Sequence, residues 1–340
     1  MNPSNVVESE YFSPPKPMGK TVKAEAMKQA LFACFFCVSA FTSDMLSYLK
    51  LYLFKCQTVL YDTLQIFKNM YLEDILMRNF NVAIPTPFHE DESLYLEGFD
   101  AIVEHLKNSG IHSLLICGTT GEQHSLSIDE RLQIIEYVHQ RKFEDVELMF
   151  GVSAVRTSDA VKLMKHIEKT NIDSVLIGFP PYIRPTQQQA VYYVDELLSH
   201  TSKEAVLYNN PGRTGFNLSE KALKDLISRH PGIKGLKEGG DVLRHKQTEF
   251  PDHFILFAAG DVEFPKMLSN GCNGLSSMAG NVYPEEIRES FSSLSENKPI
   301  NLDRINDLIA EVTNHHTVMN IKNHYRKIGI QAGSCRSPII

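Results

Sequence analysis

A chain of 340 residues is long enough for one large domain or two small ones. Its 43% hydrophobic and 22% charged residues are ordinary values for a soluble globular protein. The 34 basic and 41 acidic residues leave a net charge of −7, which argues against a nucleic-acid surface built on clustered Lys and Arg. An anionic small substrate stays open, because one buried arginine can set the local field whatever the net charge.

Residues 1–76 read differently from the rest, as an atypical N-terminal extension. Pro14, Pro15 and Pro17 are followed by Lys20, Lys23 and Lys28, then by the apolar run Leu31 to Phe41. A basic stretch before an apolar run resembles a targeting segment, yet the run is short of the roughly 20 residues a membrane span needs. The stretch from Leu46 to Leu76 has no glycine and suits one or two amphipathic helices. The favoured readings are a helical decoration and sequence lying upstream of a start near Met77. Cys34 and Cys37 form a C-x-x-C there, with no second ligand pair to complete a zinc site. No metal site is expected, and reduced thiols in a cytoplasmic protein are the plain expectation for all six cysteines.

From Phe80 onward short apolar runs recur: Val82–Ile84, Ser113–Cys117, Val146–Gly151, Ser174–Gly178, Ala205–Tyr208, Ile233–Lys237, Ile255–Ala259 and Gly274–Ser277. Their unbroken apolar character suits strands buried on both faces. Between them lie amphipathic stretches, including Ser127 to His139 and Ser158 to Lys169, with Ser127 and Ser158 as N-cap candidates. Eight such units predict an α/β fold, a closed (β/α)8 TIM barrel over 77–282; the alternative, a doubly wound open sheet, would usually have fewer units and a glycine fingerprint at the first turn. The helical stretches from Pro284 to Ile328 predict a small C-terminal region over 283–340.

In such a barrel, chemistry sits at the carboxyl ends of the strands. The second run ends in Gly118-Thr119-Thr120-Gly121-Glu122, two hydroxyls and glycine-flanked backbone that suit a carboxylate or phosphate; a plain turn is equally good. In Ile233-Lys-Gly-Leu-Lys-Glu238, strand alternation puts Lys237 on one face with Ile233 and Gly235. If Leu236 packs outward, Lys237 enters the barrel mouth, where desolvation lowers its pKa and yields the neutral amine that Schiff-base chemistry requires. A snorkelling lysine is the bland alternative. Tyr208, next door on the fifth run, could shuttle protons or simply fill the core. Arg213, in the following Pro-Gly turn, could clamp a second carboxylate or lie exposed.

Together, Gly118-Thr-Thr-Gly-Glu122, Tyr208-Asn-Asn-Pro-Gly-Arg-Thr-Gly215, Gly235-Leu-Lys-Glu238 and Ala259-Gly260-Asp261 resemble the dihydrodipicolinate synthase / N-acetylneuraminate lyase family, in order and at its spacing over residues 79–338. The resemblance implies a homo-oligomer, tetramer or dimer, with no metal and no external cofactor, acting through a covalent Schiff base on Lys237. It implies that Tyr208 donates and accepts protons. Thr119 would link Tyr208 to Tyr182, which in the family reaches in from a neighbouring subunit. Thr120, with Gly118, Gly260 and the backbone of Ser276, would line the site for the pyruvate carboxylate, and Arg213 would bind the acceptor aldehyde's carboxylate.

The double threonine and the Arg213 turn resemble the synthase branch, which condenses pyruvate with L-aspartate-4-semialdehyde on the route to lysine. Another pyruvate-dependent aldolase, of 2-keto-3-deoxy sugar acid or N-acetylneuraminate type, would use the same Lys237, Tyr208 and Thr120. Pro181 and Ile183 depart from the synthase pattern, and Ser276 stands where the family usually has an aliphatic residue. Pro181, Val155 and Arg131 also replace the groups expected for lysine feedback, so insensitivity to lysine is expected. The family normally continues into one more helix after the position of Ile340.

Overall fold

The computed structural model describes residues 79–339. The extension at 1–76, with Cys34, Cys37 and the apolar run 31–41, lies outside the described residues. Eight parallel strands close into a barrel in chain order: β1 (Phe80–Ala83), β2 (Ser113–Ile116), β3 (Glu147–Val152), β4 (Ser174–Gly178), β5 (Glu204–Asn209), β6 (Ile233–Glu238), β7 (Ile255–Ala258) and β8 (Gly274–Ser277). β8 pairs back onto β1, with Asn81 opposite Ser276. The fold is a (β/α)8 TIM barrel, as the run of apolar segments predicts.

Strand alternation sorts side chains into two layers. Ala83, Leu115, Met149, Leu176, Val206 and Phe257 fill the barrel's interior, with Tyr208 and Ile255 packed against them. Val82, Leu114, Ile177, Leu207, Leu236 and Leu275 belong to the larger layer between strands and helices. The helices supply its other half: α1 (Gly98–Asn108) buries Phe99, Ile102, Val103 and Leu106, a stripe at helical spacing. α2 (Ile128–Arg141) starts at Ser127, whose side chain exchanges hydrogen bonds with Glu130 in a capping box. Ser158 does not cap its helix. α3 (Thr157–Ile167) begins one residue earlier, its N-cap position is Arg156, and no side chain caps it. α4 (Gln187–Leu198), the single turn α5 (Pro211–Thr214), α6 (Glu220–Arg229) and α7 (Phe264–Ser269) complete the ring.

β6 departs from simple alternation. Ala205 pairs with Ile233, but Val206 pairs with Gly235, so Lys234 is an extra residue in a bulge. The bulge shifts the phase, so that Ile233 and Leu236 both lie in the outer layer. Lys237 therefore does not share a face with Ile233, while Leu236 packs outward as expected. Gly235 is needed because a Cβ there would sit 2.5 Å from the Ile255 carbonyl oxygen. The same close approach holds β2 against β3, where a Cβ on Gly151 would lie 2.2 Å from the Cys117 oxygen.

After β8, α8 (Pro284–Ser295), α9 (Leu302–Thr313) and α10 (Thr317–Lys327) pack beside the barrel. The fully buried Tyr325 of α10 donates to Asn281 Oδ1 at 3.0 Å, and Asn281 donates to the Ala83 carbonyl at 2.9 Å. α10 also carries Lys322, buried and 2.7 Å from the equally buried Glu122 at the end of the Gly118–Glu122 turn. The returning chain adds Arg336, whose backbone N–H donates to Glu122 at 3.0 Å and whose guanidinium pairs with Glu130. Lys322 and Arg336 both lie over the Phe88 ring, at 4.2 and 4.3 Å. Removing one member of a buried pair strands the other's charge. Lys322→Met is expected to cost about 3–5 kcal/mol, a fall in Tm of about 10 °C. Thermal melts should find that adding Glu122→Gln to Lys322→Met recovers at least half of that loss.

Candidate active site

The carboxyl ends of the strands carry a polar cluster around one amine. Lys237 is only 8% exposed and lies on the inner face of β6, paired with Tyr208 on one side and Phe257 on the other. Its Nζ is 5.0 Å from the centre of the Tyr208 ring. Burial pushes the Lys237 pKa down to about 8; the Asp261 carboxylate opposes that shift, and the Arg213 guanidinium adds to it. A substantial fraction of the side chain is therefore neutral near pH 8.

The amine donates a hydrogen bond to Ser276 Oγ at 2.8 Å, and Ser276 Oγ donates to Asn81 Oδ1 at 2.7 Å. Both partners are buried. The resemblance assigns Ser276 only a backbone contact, and neither the hydroxyl's contact nor Asn81 was singled out from sequence. The one hint was Asn81 itself, a polar residue inside an otherwise apolar strand.

Tyr208 Oη accepts a hydrogen bond from Asn210 Nδ2 at 2.8 Å, leaving its own proton free to be donated. Asn210 Oδ1 accepts from the Arg213 N–H at 3.2 Å and so caps α5. One amide thus joins the phenol to the Arg213 turn. The Arg213 side chain is exposed at the mouth.

The Gly118–Glu122 turn forms a second wall. Thr120 is buried and Thr119 half-buried, and neither hydroxyl bonds to another described residue. Thr86 Oγ1 holds the turn by donating to the Gly121 carbonyl at 2.6 Å. Gly118 is buried. Across the mouth, Gly260 takes a positive φ of 125° that favours glycine. Asp261 beside it accepts from Ser277 Oγ and from the backbone N–H groups of Met278 and Ala279, tying the ends of β7 and β8 together. Its pKa is raised by burial.

Tyr182 stands apart. It is 91% exposed, at a φ of 73°, and no hydrogen bond joins it to Thr119 or Tyr208 within the described chain. The loop that carries it is nonetheless fixed: Arg184 packs over Gly215, and Gln187 donates to the Asn217 carbonyl at 2.8 Å. Arg131 is buried and donates to the carbonyls of Ser153 and Gln123.

Behind β6, facing the helices, Glu238 is fully buried and accepts from Asn209, the Gly240 N–H and His245 at 2.7–2.8 Å. This knot holds the ends of β5 and β6 in register, and with them Tyr208 and Lys237. Among the described residues no group of three potential ligands could hold a metal ion, and no helix is long and apolar enough to cross a membrane.

Known proteins agree with this architecture. The 4-hydroxy-tetrahydrodipicolinate synthase of Desulforamulus reducens is 30% identical over 216 residues, which cover 63% of this chain and 73% of that protein. The solved 4-hydroxy-tetrahydrodipicolinate synthase of Methylacidiphilum fumariolicum SolV is 26% identical, with a TM-score of 0.71 over 77% of this chain and 89% of that one. The fold alone is shared with CdNal from Clostridium difficile, solved in complex with mannosamine, at 24% identity and a TM-score of 0.70 over 77% and 92%. A family model described as the Dihydrodipicolinate synthetase family matches residues 76–340, so the chain belongs to that family.

Proposed function

We propose that this protein is a Schiff-base lyase that condenses pyruvate with L-aspartate-4-semialdehyde to form 4-hydroxy-tetrahydrodipicolinate. The observation that carries the reading is the buried, pKa-lowered amine of Lys237 beside the Tyr208 ring at the open end of the barrel. The neutral Nζ attacks the ketone carbon of pyruvate, and the carbonyl oxygen takes a proton from Tyr208. The nitrogen returns a proton to the Tyr208 phenolate, and the re-formed phenol gives it to the new hydroxyl, which leaves as water as the nitrogen lone pair forms the iminium. Once the nitrogen's last proton returns to Tyr208, the net change is exchange of C=O for C=N. Loss of a methyl proton then gives the enamine that attacks the aldehyde carbon. The acceptor's own amine closes the ring at the iminium carbon and releases Lys237.

The other assignments follow from the same frame. The unpartnered hydroxyl of Thr120 binds the pyruvate carboxylate between Gly118, Gly260 and the Ser276 backbone. Arg213 takes the acceptor's carboxylate as a bidentate pair. Thr119 passes protons between Tyr208 and a Tyr182 supplied by a neighbouring copy in a dimer or tetramer; the exposure of Tyr182 supports that reading. The covalent link to Lys237 takes the place of a cofactor. A cytoplasmic enzyme comprising a barrel over 77–282 and a helical region over 283–340 fits this assignment. Pro181 and Ile183, beside Tyr182, favour the second reading, an aldolase of the same family with a sugar-acid acceptor.

Incubation with pyruvate followed by borohydride should add a reduced pyruvate unit to the peptide containing Lys237, and an unmodified peptide would remove the mechanism. The reactive form lies above the pKa, so the trapping rate should climb with pH and level off above about 8. Tyr208→Phe should slow adduct formation by about 100-fold or more.

Arg213→Ala should raise KM for the semialdehyde by about 30- to 100-fold while pyruvate trapping persists. Higher kcat/KM with a 2-keto-3-deoxy sugar acid in an aldehyde and sugar-acid panel would favour the second reading. Millimolar lysine should leave the rate unchanged, and inhibition there would overturn the expectation built on Arg131, Val155 and Pro181.

A further inference from the structure

We propose that Asn81 is a positioning residue that keeps Lys237 nucleophilic, by holding the Ser276 proton so that the serine oxygen presents only lone pairs to the amine. The proposal rests on the Schiff-base reading and concerns how the nucleophile of that site is oriented.

A serine hydroxyl has one proton. In the contact between Ser276 Oγ and Asn81 Oδ1, at 2.7 Å, that proton goes to the amide oxygen. The 2.8 Å contact with Lys237 must then be an N–H of the amine donating to Ser276. The amine spends an N–H on the wall and keeps its lone pair for the cavity. A serine with no acceptor of its own would turn its proton onto the lone pair of the neutral amine, the strongest nearby acceptor, and mask the electrons that attack the ketone.

The backbone makes the arrangement persistent. Asn81 and Ser276 are partners in the β1–β8 register, so their contact is set by the closure of the barrel. Lys237 reaches them from β6, past Phe257 of β7. Asn81 is buried in a strand whose other three residues are apolar, among interior neighbours such as Ala83, a placement that costs free energy unless its amide is used. The charged groups near the amine are the Asp261 carboxylate and the Arg213 guanidinium, with the Tyr208 ring alongside. Glu238 and His245 lie on the other side of β6 and pair with one another. Neither Asp261 nor Arg213 bonds to Ser276 or Asn81, so the orientation of the hydroxyl falls to Asn81.

The test is the rate of borohydride-trapped pyruvate adduct on Lys237, measured from pH 6 to 10 by peptide mass spectrometry on the full chain. The unmodified protein, Asn81→Leu, Ser276→Ala and the double variant are compared. Asn81→Leu should lower the high-pH plateau about tenfold, the size of one misdirected hydrogen bond. Adding Ser276→Ala to Asn81→Leu should restore most of that loss, because no hydroxyl is left to mask the lone pair. Ser276→Ala alone removes an acceptor that favours the ammonium form, so its midpoint should move down by about one pH unit.

A plateau for Asn81→Leu equal to that of the unmodified protein would overturn the proposal. So would a double variant as slow as Asn81→Leu, which would mark simple structural damage. Should Asn81→Leu fail to fold, the Ser276→Ala midpoint decides, and an unmoved midpoint overturns the inference. If the unmodified protein traps no pyruvate at all, the Schiff-base reading falls and this inference falls with it. Normal trapping in the unmodified protein with unaltered profiles in the variants removes only the role of Asn81.

Discussion

An ammonium ion surrounded by water is no nucleophile, and a lysine loses its proton near neutral pH where burial or a neighbouring positive charge disfavours the charged form. Here that condition is met by the closed barrel. Lys237 is ringed by Phe257, Tyr208 and the interior layer below them, and desolvation outweighs the attraction of Asp261. Much of the rest of the structure acts to keep that one side chain inside. The bulge at Lys234 sets the phase of β6, Gly235 lets β7 approach closely, and the Glu238 knot behind the strand holds its end to β5.

The mouth of the barrel is built from loops, and loops need bracing if they are to present groups at fixed positions. The Gly118–Glu122 turn is braced from below by Gly151 and Thr86 and from outside by Lys322 and Arg336. The C-terminal helices therefore do more than cover a flank. They deliver a buried counter-charge to the last residue of the turn that carries Thr119 and Thr120. Asn210 does a comparable task on the other side, tying the Tyr208 phenol to the Arg213 turn through the two ends of one amide. Tyr182 is the exception: its loop is anchored through Arg184 and Gln187, yet the ring points into solvent.

Several of these features were legible in the amino-acid sequence because their causes are local. Unbroken apolar runs separated by amphipathic stretches mark strands covered on both faces, and eight of them imply closure. The Ser127–Glu130 capping box is written in four consecutive residues. Alternation along β5 and the last residues of β6 was enough to put Tyr208 and Lys237 side by side, and the order of four short motifs pointed to the family. What failed locally was the parity of Ile233, since a single inserted residue in a bulge reverses the face of everything before it.

Contacts between residues far apart in the chain were decided only by tertiary structure. Asn81 and Ser276 are 195 residues apart and meet because β8 closes onto β1. The Arg336–Glu122 contact spans 214 residues, and the Lys322–Glu122 pair needs α10 to return across the barrel. Composition, periodicity and capping are properties of neighbours along the chain, so they determined the element types and put Lys237 at the end of the sixth strand. Which polar group faces that lysine, and which way its proton points, depends on how the ends of the barrel are brought together, and no local pattern carries that information.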